Sequence, residues 1–365
     1  MINDIFFELV RVSVGKLAAL SRTPSAEEWQ GLFVGARKHS LEGVLYRGVE
    51  RLPSAQRPDV GFMLQWFGLV KRYERLNVAI NQRAVEASAY FSHQGIRNCV
   101  LKGQGIATYY PEPLLRVPGD IDLWVDADRE QVYAMDICSD TWLQTTYLHL
   151  HSKIFKETAL ELHVKPSWMS SPLLNCRLQR YFKRCWEVDG QRSVALLGAE
   201  GKVTVPSLEF NRFYLLLHIY HHLFGEGIGL RQLMDYYYVL LQEADEASLQ
   251  RTRDLLKEYH LVKFAGAVMY VEQKVFGLPK EKLLVAVDER EGEFLLKEVM
   301  TAGNFGKYDE RINRKWYRST PRRFVLSVGR NMKFLWRYPR EVAWDPLFRS
   351  WFYMWRWFRA LRERF

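Results

Sequence analysis

Asp120 and Asp122 are separated by a single residue in the run Val117-Pro-Gly-Asp-Ile-Asp-Leu-Trp-Val125, and that spacing can do chemistry. Ile121, Leu123 and Val125 alternate with Asp120, Asp122 and Trp124, the pattern of a strand whose side chains point to opposite faces with period two. The two carboxylates then share one face while Ile121 and Leu123 enter a core. Neighbouring carboxylates repel each other, and folding gains nothing from that. A divalent cation between them gives the pair a purpose, because hard ions such as Mg²⁺ take oxygen ligands. Upstream, Lys102-Gly103-Gln104-Gly105 follows the apolar run Cys99-Val100-Leu101. A strand, a glycine turn and a helix start offer backbone N–H groups to a phosphate-sized anion. An anion cradle beside an acidic metal pair points to chemistry on a nucleoside triphosphate.

The elements that must position these residues follow from the surrounding pattern. Residues 1–95 read as helical, with a capping box at Ser25 and Glu28 and a long helix over 60–93. His39, in Arg37-Lys38-His39, has two readings: a cap or core-edge side chain, or one facing the active site. Residues 96–170 form the catalytic candidate: a strand over 99–101, then a short helix over 104–110 stopped by Pro111 and Pro113. The acidic strand follows, then a helix from Asp128 to about Leu143 and two strands over 149–155 and 158–164. On the last of these Leu160 and Leu162 alternate with Glu161 and His163, placing Glu161 and His163 together on one face. From 171 to 300 the pattern returns to helices. There His218 and His222 stand four apart, a zinc-like spacing that lacks a third ligand, and Arg231 and Asp235 form either a phosphate contact or an ordinary helix pair. The expected fold class is α+β: a small mixed β-sheet core, 96–170, flanked by an N-terminal helical region, 1–95, a helical domain, 171–300, and a C-terminal tail, 301–365.

A chain of 365 residues with 48% hydrophobic content is globular and large enough for several cores. No apolar run approaches the roughly 18 residues of a membrane span, and no secretory signal is evident. The four cysteines lack CxxC spacing and fit reduced thiols, so a cytoplasmic location is expected. The net charge is +10, yet residues 311–365 hold 15 Lys/Arg against 3 Asp/Glu, so the basic character belongs to the tail. That tail also holds tryptophans 316, 336, 344, 351, 355 and 357, and Phe348, Trp351, Phe352, Trp355 and Phe358 make one helical stripe. Three readings stay open: the stripe packs on the catalytic domain, it lies on an anionic membrane surface, or it grips RNA by stacking and phosphate contact.

At the glycine turn and the Asp-x-Asp strand the chain resembles the nucleotidyltransferase superfamily built on the DNA polymerase β-like core. Leu101-Lys102-Gly103, Tyr109-Tyr110-Pro111, Arg116 and Gly119-Asp-Ile-Asp-Leu123 are most similar to a bacterial group of uncharacterised nucleotidyltransferases. The Arg-Lys-His run and the His…Leu-Arg-x-x-x-Asp pattern ending at Asp235 extend the likeness. Two departures stand out. Residues 105–119 make a longer gap than the superfamily's, and Gln104 replaces its usual Ser or Gly. The resemblance implies a third carboxylate at Glu161, so that Asp120, Asp122 and Glu161 hold two Mg²⁺ ions, with Mn²⁺ as the alternative. It further implies phosphate binding at Lys102, Gly103, Gln104, Arg116 and Arg231, and transfer of a nucleoside monophosphate from an NTP to an acceptor hydroxyl with release of pyrophosphate.

Two rival classes use the same residues. Asp-x-Asp also binds the metal of sugar-nucleotide glycosyltransferases, although those begin with a Rossmann-like βαβ series and this chain begins with helices. A catalytically inactive nucleotide-binding or antitoxin-like module would keep the fold without turnover. The acceptor is not named by any residue. The basic tail favours an anionic one, RNA or a membrane-associated glycan, and a place peripheral to the membrane.

Overall fold

The computed structural model describes residues 2–188, 191–311 and 320–362. Trp316 of the aromatic tail lies outside them. The described chain combines helices with a small mixed sheet of four strands and a two-stranded hairpin, an α+β fold. It groups into two units, and neither is a continuous stretch. The first combines the residues up to Ala79 with Ile106–Pro118 and Leu208–Asp309. The second combines Ile80–Gly105, Gly119–Ser207 and the residues from Glu310 onward.

The first unit is helical. It contains α1 (Ile2–Ser13), α2 (Ala26–His39), α3 (Glu42–Arg51) and the first part of α4 (Val60–His93). Later in the chain it contains α8 (Leu208–Phe224), α9 (Leu230–Leu241), α10 (Glu246–Glu258), α11 (Val262–Val271) and α12 (Glu289–Ala302). The capping box forms as expected: Ser25 Oγ accepts from the Glu28 N–H and Glu28 returns a bond to the Ser25 N–H. The α4 bounds match the sequence pattern at both ends. His39 is buried with Nδ1 accepting from the Leu230 N–H at 3.4 Å, which decides for the core reading. His218 and His222 bring their Nε2 atoms to 3.1 Å of each other. Among the described residues, no group of three metal-ligand side chains includes them.

Segment 106–118 explains the long gap before Asp120, because it is bound into this helical unit. Asn77 on α4 donates to the carbonyls of Leu114 and Arg116, at 2.7 and 2.8 Å. A side chain at Gly43 would come within 2.0 Å of the Leu115 carbonyl oxygen, so α3 has room for glycine alone there.

The second unit is built around the sheet. Its strands are β1 (Asn98–Val100), β2 (Ile121–Val125), β3 (His149–His151) and β4 (Leu160–His163), in spatial order β1-β2-β4-β3. β2 runs parallel to β4, and β1 and β3 are antiparallel to their neighbours. Val100, Ile121, Leu123, Leu150, Leu160 and Leu162 form the apolar face, packed with Ala84, Val85 and Phe91 of α4 and with Val203 and Val205. Each such side chain contributes about 1.5–3 kcal/mol by leaving water. The opposite face carries the polar residues.

Several expected elements came out differently. α5 (Gln104–Ala107) stops before Tyr110, and α6 (Arg129–Ala134) stops well short of Leu143. The chain turns at Asp136, with φ of 52°, so that Cys138 can bridge to Ser152. Between α7 (Pro172–Val188) and α8 the sequence reading expected only helix, yet β5 (Arg192–Ala195) and β6 (Lys202–Val205) form a hairpin. Strands of four residues carry too few alternations to be separated from loop by pattern.

α13 (Thr320–Asn331) and α14 (Pro339–Arg362) complete this unit. The packing reading of the tail holds for one face of α14. Phe348 and Phe352 meet Tyr147 edge-on at 5.0 and 5.6 Å, and Trp355 meets Trp142 at 5.7 Å. Arg359 pairs with Glu130 at 2.7 Å. Trp351 and Phe358, expected in the same stripe, are exposed instead, as are Leu347 and Met354. No described helix is long and apolar enough to cross a membrane.

Candidate active site

The polar face of the sheet gathers five titratable side chains within three adjacent strands. Asp122 on β2 is the register partner of Glu161 on β4, and Glu161 is in turn the partner of His151 on β3. His163 lies two residues beyond Glu161 and opposite His149. Period-two alternation sends all five to one side, because Leu123, Leu150, Leu160 and Leu162 occupy the other.

His163 Nε2 lies 2.9 Å from Asp122 Oδ1 and 3.4 Å from Glu161 Oε2, so one imidazole spans both carboxylates. Lys102, at the end of β1, reaches the same Asp122 oxygen with Nζ at 2.9 Å. Asp122 is almost wholly buried. Burial works to raise its pKa, but the Lys102 charge and the His163 hydrogen bond outweigh it and hold the carboxyl well below its usual range. The reverse holds for Glu161: burial raises it, the His163 bond opposes, and the charges of Asp122 and Asp120 add to the rise. Burial lowers His163, yet its bonds to Asp122 and Glu161 prevail and lift it to about 9. His149 is pushed down to about 2 by burial, with the charge of His163 adding.

The expected site residues are therefore brought together in part. Lys102, Asp122 and Glu161 form one cluster. Asp120 sits one residue before β2, close enough for its charge to act on Glu161. Gly103 has φ of +55°, a left-handed turn that favours glycine, and Gln104 opens α5. The Gly105 N–H donates to the Lys102 carbonyl at 3.0 Å, closing the turn that aims Lys102.

Arg116 and Arg231 belong to the first unit. Arg116 donates through Nε and Nη2 to the two oxygens of Asp235, each at 2.8 Å, and the Tyr110 hydroxyl donates to Asp235 at 2.6 Å. Arg231 donates to the Val117 carbonyl at 3.3 Å and stacks over Phe305. In this structure Asp235 is thus engaged by Arg116, from 119 residues away, as well as lying four residues from Arg231.

Two residues of the cluster escaped the sequence reading as candidates, His149 and His151. Their signal was present in the His-Leu-His alternation, but only the register of β3 on β4 makes it meaningful.

A family model for an uncharacterised nucleotidyltransferase matches residues 25–277, well over half of the chain and spanning the whole cluster. The chain belongs to that nucleotidyltransferase family. No curated protein matches the chain significantly. Among solved structures it is similar to an antigenic nucleotidyltransferase-like protein from Paracoccidioides brasiliensis, with 13% sequence identity and a TM-score of 0.31. That match covers 56% of this chain and 93% of the other. Within the family region fall the glycine turn, both strands of the carboxylate pair and the His strand.

Proposed function

We propose that this family member is a Mg²⁺-dependent enzyme that moves the nucleoside monophosphate of an NTP to an acceptor hydroxyl and releases pyrophosphate. The observation that carries the reading is the direct cross-strand pairing of Asp122 with Glu161, beside the Lys102-Gly103 turn. Burial and the charges of Asp122 and Asp120 work against an ionised Glu161, a cost of the kind that functional sites carry.

The residues present fit the ion. Ligand atoms of Asp122, Glu161 and His163 all lie within 4.8 Å of one another. Oxygen from Asp122 and Glu161, joined by Asp120, is the donor type Mg²⁺ takes, and Mn²⁺ accepts the same set. When bound, the ion supplies charge for the triphosphate and lowers the pKa of the attacking hydroxyl.

The chain's own groups do the rest. The backbone N–H groups at Gly103 and Gln104 are the proposed donors to terminal phosphate oxygens. Lys102, which pairs with Asp122 at 2.9 Å, has a flexible side chain that would offset phosphate charge beside the turn. His163, whose Nε2 reaches both Asp122 and Glu161, fixes the spacing of the two carboxylates.

The test is incubation with each α-labelled NTP, Mg²⁺ and a cell lysate, with UDP-sugar as a separate arm. Label transferred from an NTP into one lysate fraction, and lost in Glu161→Gln, supports the reading. Transfer from UDP-sugar alone would replace it with a glycosyltransferase. Absence of Mg²⁺-dependent NTP binding by calorimetry would replace it with an inactive module.

A further inference from the structure

The outer half of the cluster has a different donor chemistry from the inner half. β3 is an edge strand, and Leu150 fills the core between His149 and His151, so both imidazoles stand on the Glu161 side. His149 Nδ1 lies 3.2 Å from Glu161 Oε2, and His151 Nε2 lies 3.7 Å from Glu161 Oε1. Each imidazole thus faces a different oxygen of one carboxylate. A tetrahedral ion with bonds of about 2.0–2.2 Å spaces its ligand atoms about 3.3–3.6 Å apart. The 3.2 and 3.7 Å distances straddle that range, and the three ligand atoms all lie within 4.8 Å of one another.

The orientation of His151 is set from behind. Its Nδ1 lies 2.9 and 3.1 Å from the two oxygens of Asp140, and Asp140 also accepts the His151 backbone N–H at 2.8 Å. That contact occupies Nδ1 and leaves Nε2 as the ring nitrogen turned toward Glu161. His149 Nδ1 is buried beside the same carboxylate and, among the described residues, makes no hydrogen bond despite the short distance to Glu161. Carboxylate behind, imidazole in front and a shared acceptor beyond is the arrangement of a metal-ligating histidine.

We propose that His149, His151 and Glu161 form a second metal site, selective for a divalent transition ion of the zinc class over Mg²⁺. Two imidazole nitrogens and one carboxylate suit such an ion, and Mg²⁺ with its preference for oxygen is the poorer fit. The His151 side chain, 44% exposed, leaves a path from solvent, and water or a substrate oxygen fills the remaining position. The proposal stands on its own geometry and does not require nucleotidyl transfer.

The test uses the metal-free full-length protein and no nucleotide. Co²⁺ titration is expected to give one bound ion per chain, with the visible absorption of a four- or five-coordinate centre, displaced by Zn²⁺ and not by excess Mg²⁺. His151→Ala and His149→Gln should each weaken binding by at least about 10-fold, and Asp140→Asn by about 10–100-fold. Asp122→Asn should leave the Co²⁺ spectrum in place. His151 is half exposed on an edge strand, so His151→Ala keeps the fold, as a thermal melt will confirm. Failure to bind Co²⁺ at micromolar concentration, or a spectrum and affinity unchanged in both histidine variants, overturns the site. Loss of NTP transfer with the Co²⁺ signature intact would instead count against the proposed function alone.

Discussion

Asp122 and Glu161 are register partners on parallel strands, and the single imidazole of His163 contacts both of their carboxylates. The two acids nevertheless differ in what they contribute to folding. Asp122 has two cationic neighbours within 2.9 Å, whereas burial and the negative charges of Asp122 and Asp120 work against the ionised form of Glu161.

That asymmetry separates the two obvious variants. Glu161→Gln removes repulsion and should leave the melting temperature unchanged or higher, while NTP transfer falls by about 10²–10³-fold or more. Asp122→Asn removes the carboxylate that Lys102 and His163 share and should cost about 3–5 kcal/mol in urea melts besides abolishing transfer. Full activity in either variant would exclude its carboxylate from the metal.

Two histidines set opposite limbs of the stability–pH curve. His163 is raised to about 9, so the stability it contributes is complete below the unfolded value of about 6.5 and is lost as pH climbs through 9. The shift is worth about 3 kcal/mol, and the limb should shrink in Asp122→Asn, where the Glu161 bond remains. His39 is lowered to about 3 by burial, with Lys38 adding, so its contribution is present above about 6.5 and is lost as pH falls toward 3. His39→Gln should flatten that acid limb in a pH series of denaturant melts, and an unchanged limb would assign it to other groups.

The Arg116–Asp235 pair is buried and bidentate, so breaking one side leaves a charge with no counterpart of equal reach. Asp235→Asn is expected to cost about 3–5 kcal/mol, and Tyr110→Phe about 1 kcal/mol through the lost hydroxyl bond. Chemical denaturation of both singles and the double measures their coupling. Additive values would show that the two bonds to Asp235 act independently.

Glu272 is wholly buried, and among the described residues neither carboxyl oxygen has a hydrogen-bond partner. Burial pushes its pKa well above the ordinary range. Its protonated form is the one the fold tolerates, so the stability it permits is full below the unfolded value of about 4.5 and declines as pH rises. Glu272→Met should therefore raise the melting temperature at neutral pH by a few degrees, on the order of 1–4 kcal/mol. A lower melting temperature would mean that the carboxyl is satisfied in solution.

The inner face of α14 can be tested by truncation of one ring. Phe352→Ala removes an edge-on contact to Tyr147 and a stack on Trp355 at 5.6 Å. A loss of about 3 kcal/mol is expected, the lower end for a packed aromatic because Phe352 is only partly buried. An unchanged melt would place α14 off the domain in solution.

Local pattern carried much of this molecule. The 60–93 helix, the capping box at Ser25 and the alternation through Ile121, Leu123 and Val125 are written in side-chain periodicities of 3.6 and 2, which need only neighbours in sequence. The candidacy of Asp120, Asp122, Lys102 and Glu161 came from residue type, spacing and family resemblance. Pairing between distant strands was another matter. Whether Glu161 faced Asp122, and whether His149 and His151 faced Glu161, depended on the register of β4 against β2 and β3, and a slip of one residue would have sent each side chain to the core. The Arg116–Asp235 bond spans a sequence distance that no period encodes, and it was decided by which helices pack around segment 106–118. Short elements, β5 and β6 above all, owe their form to what they rest on rather than to their own few residues.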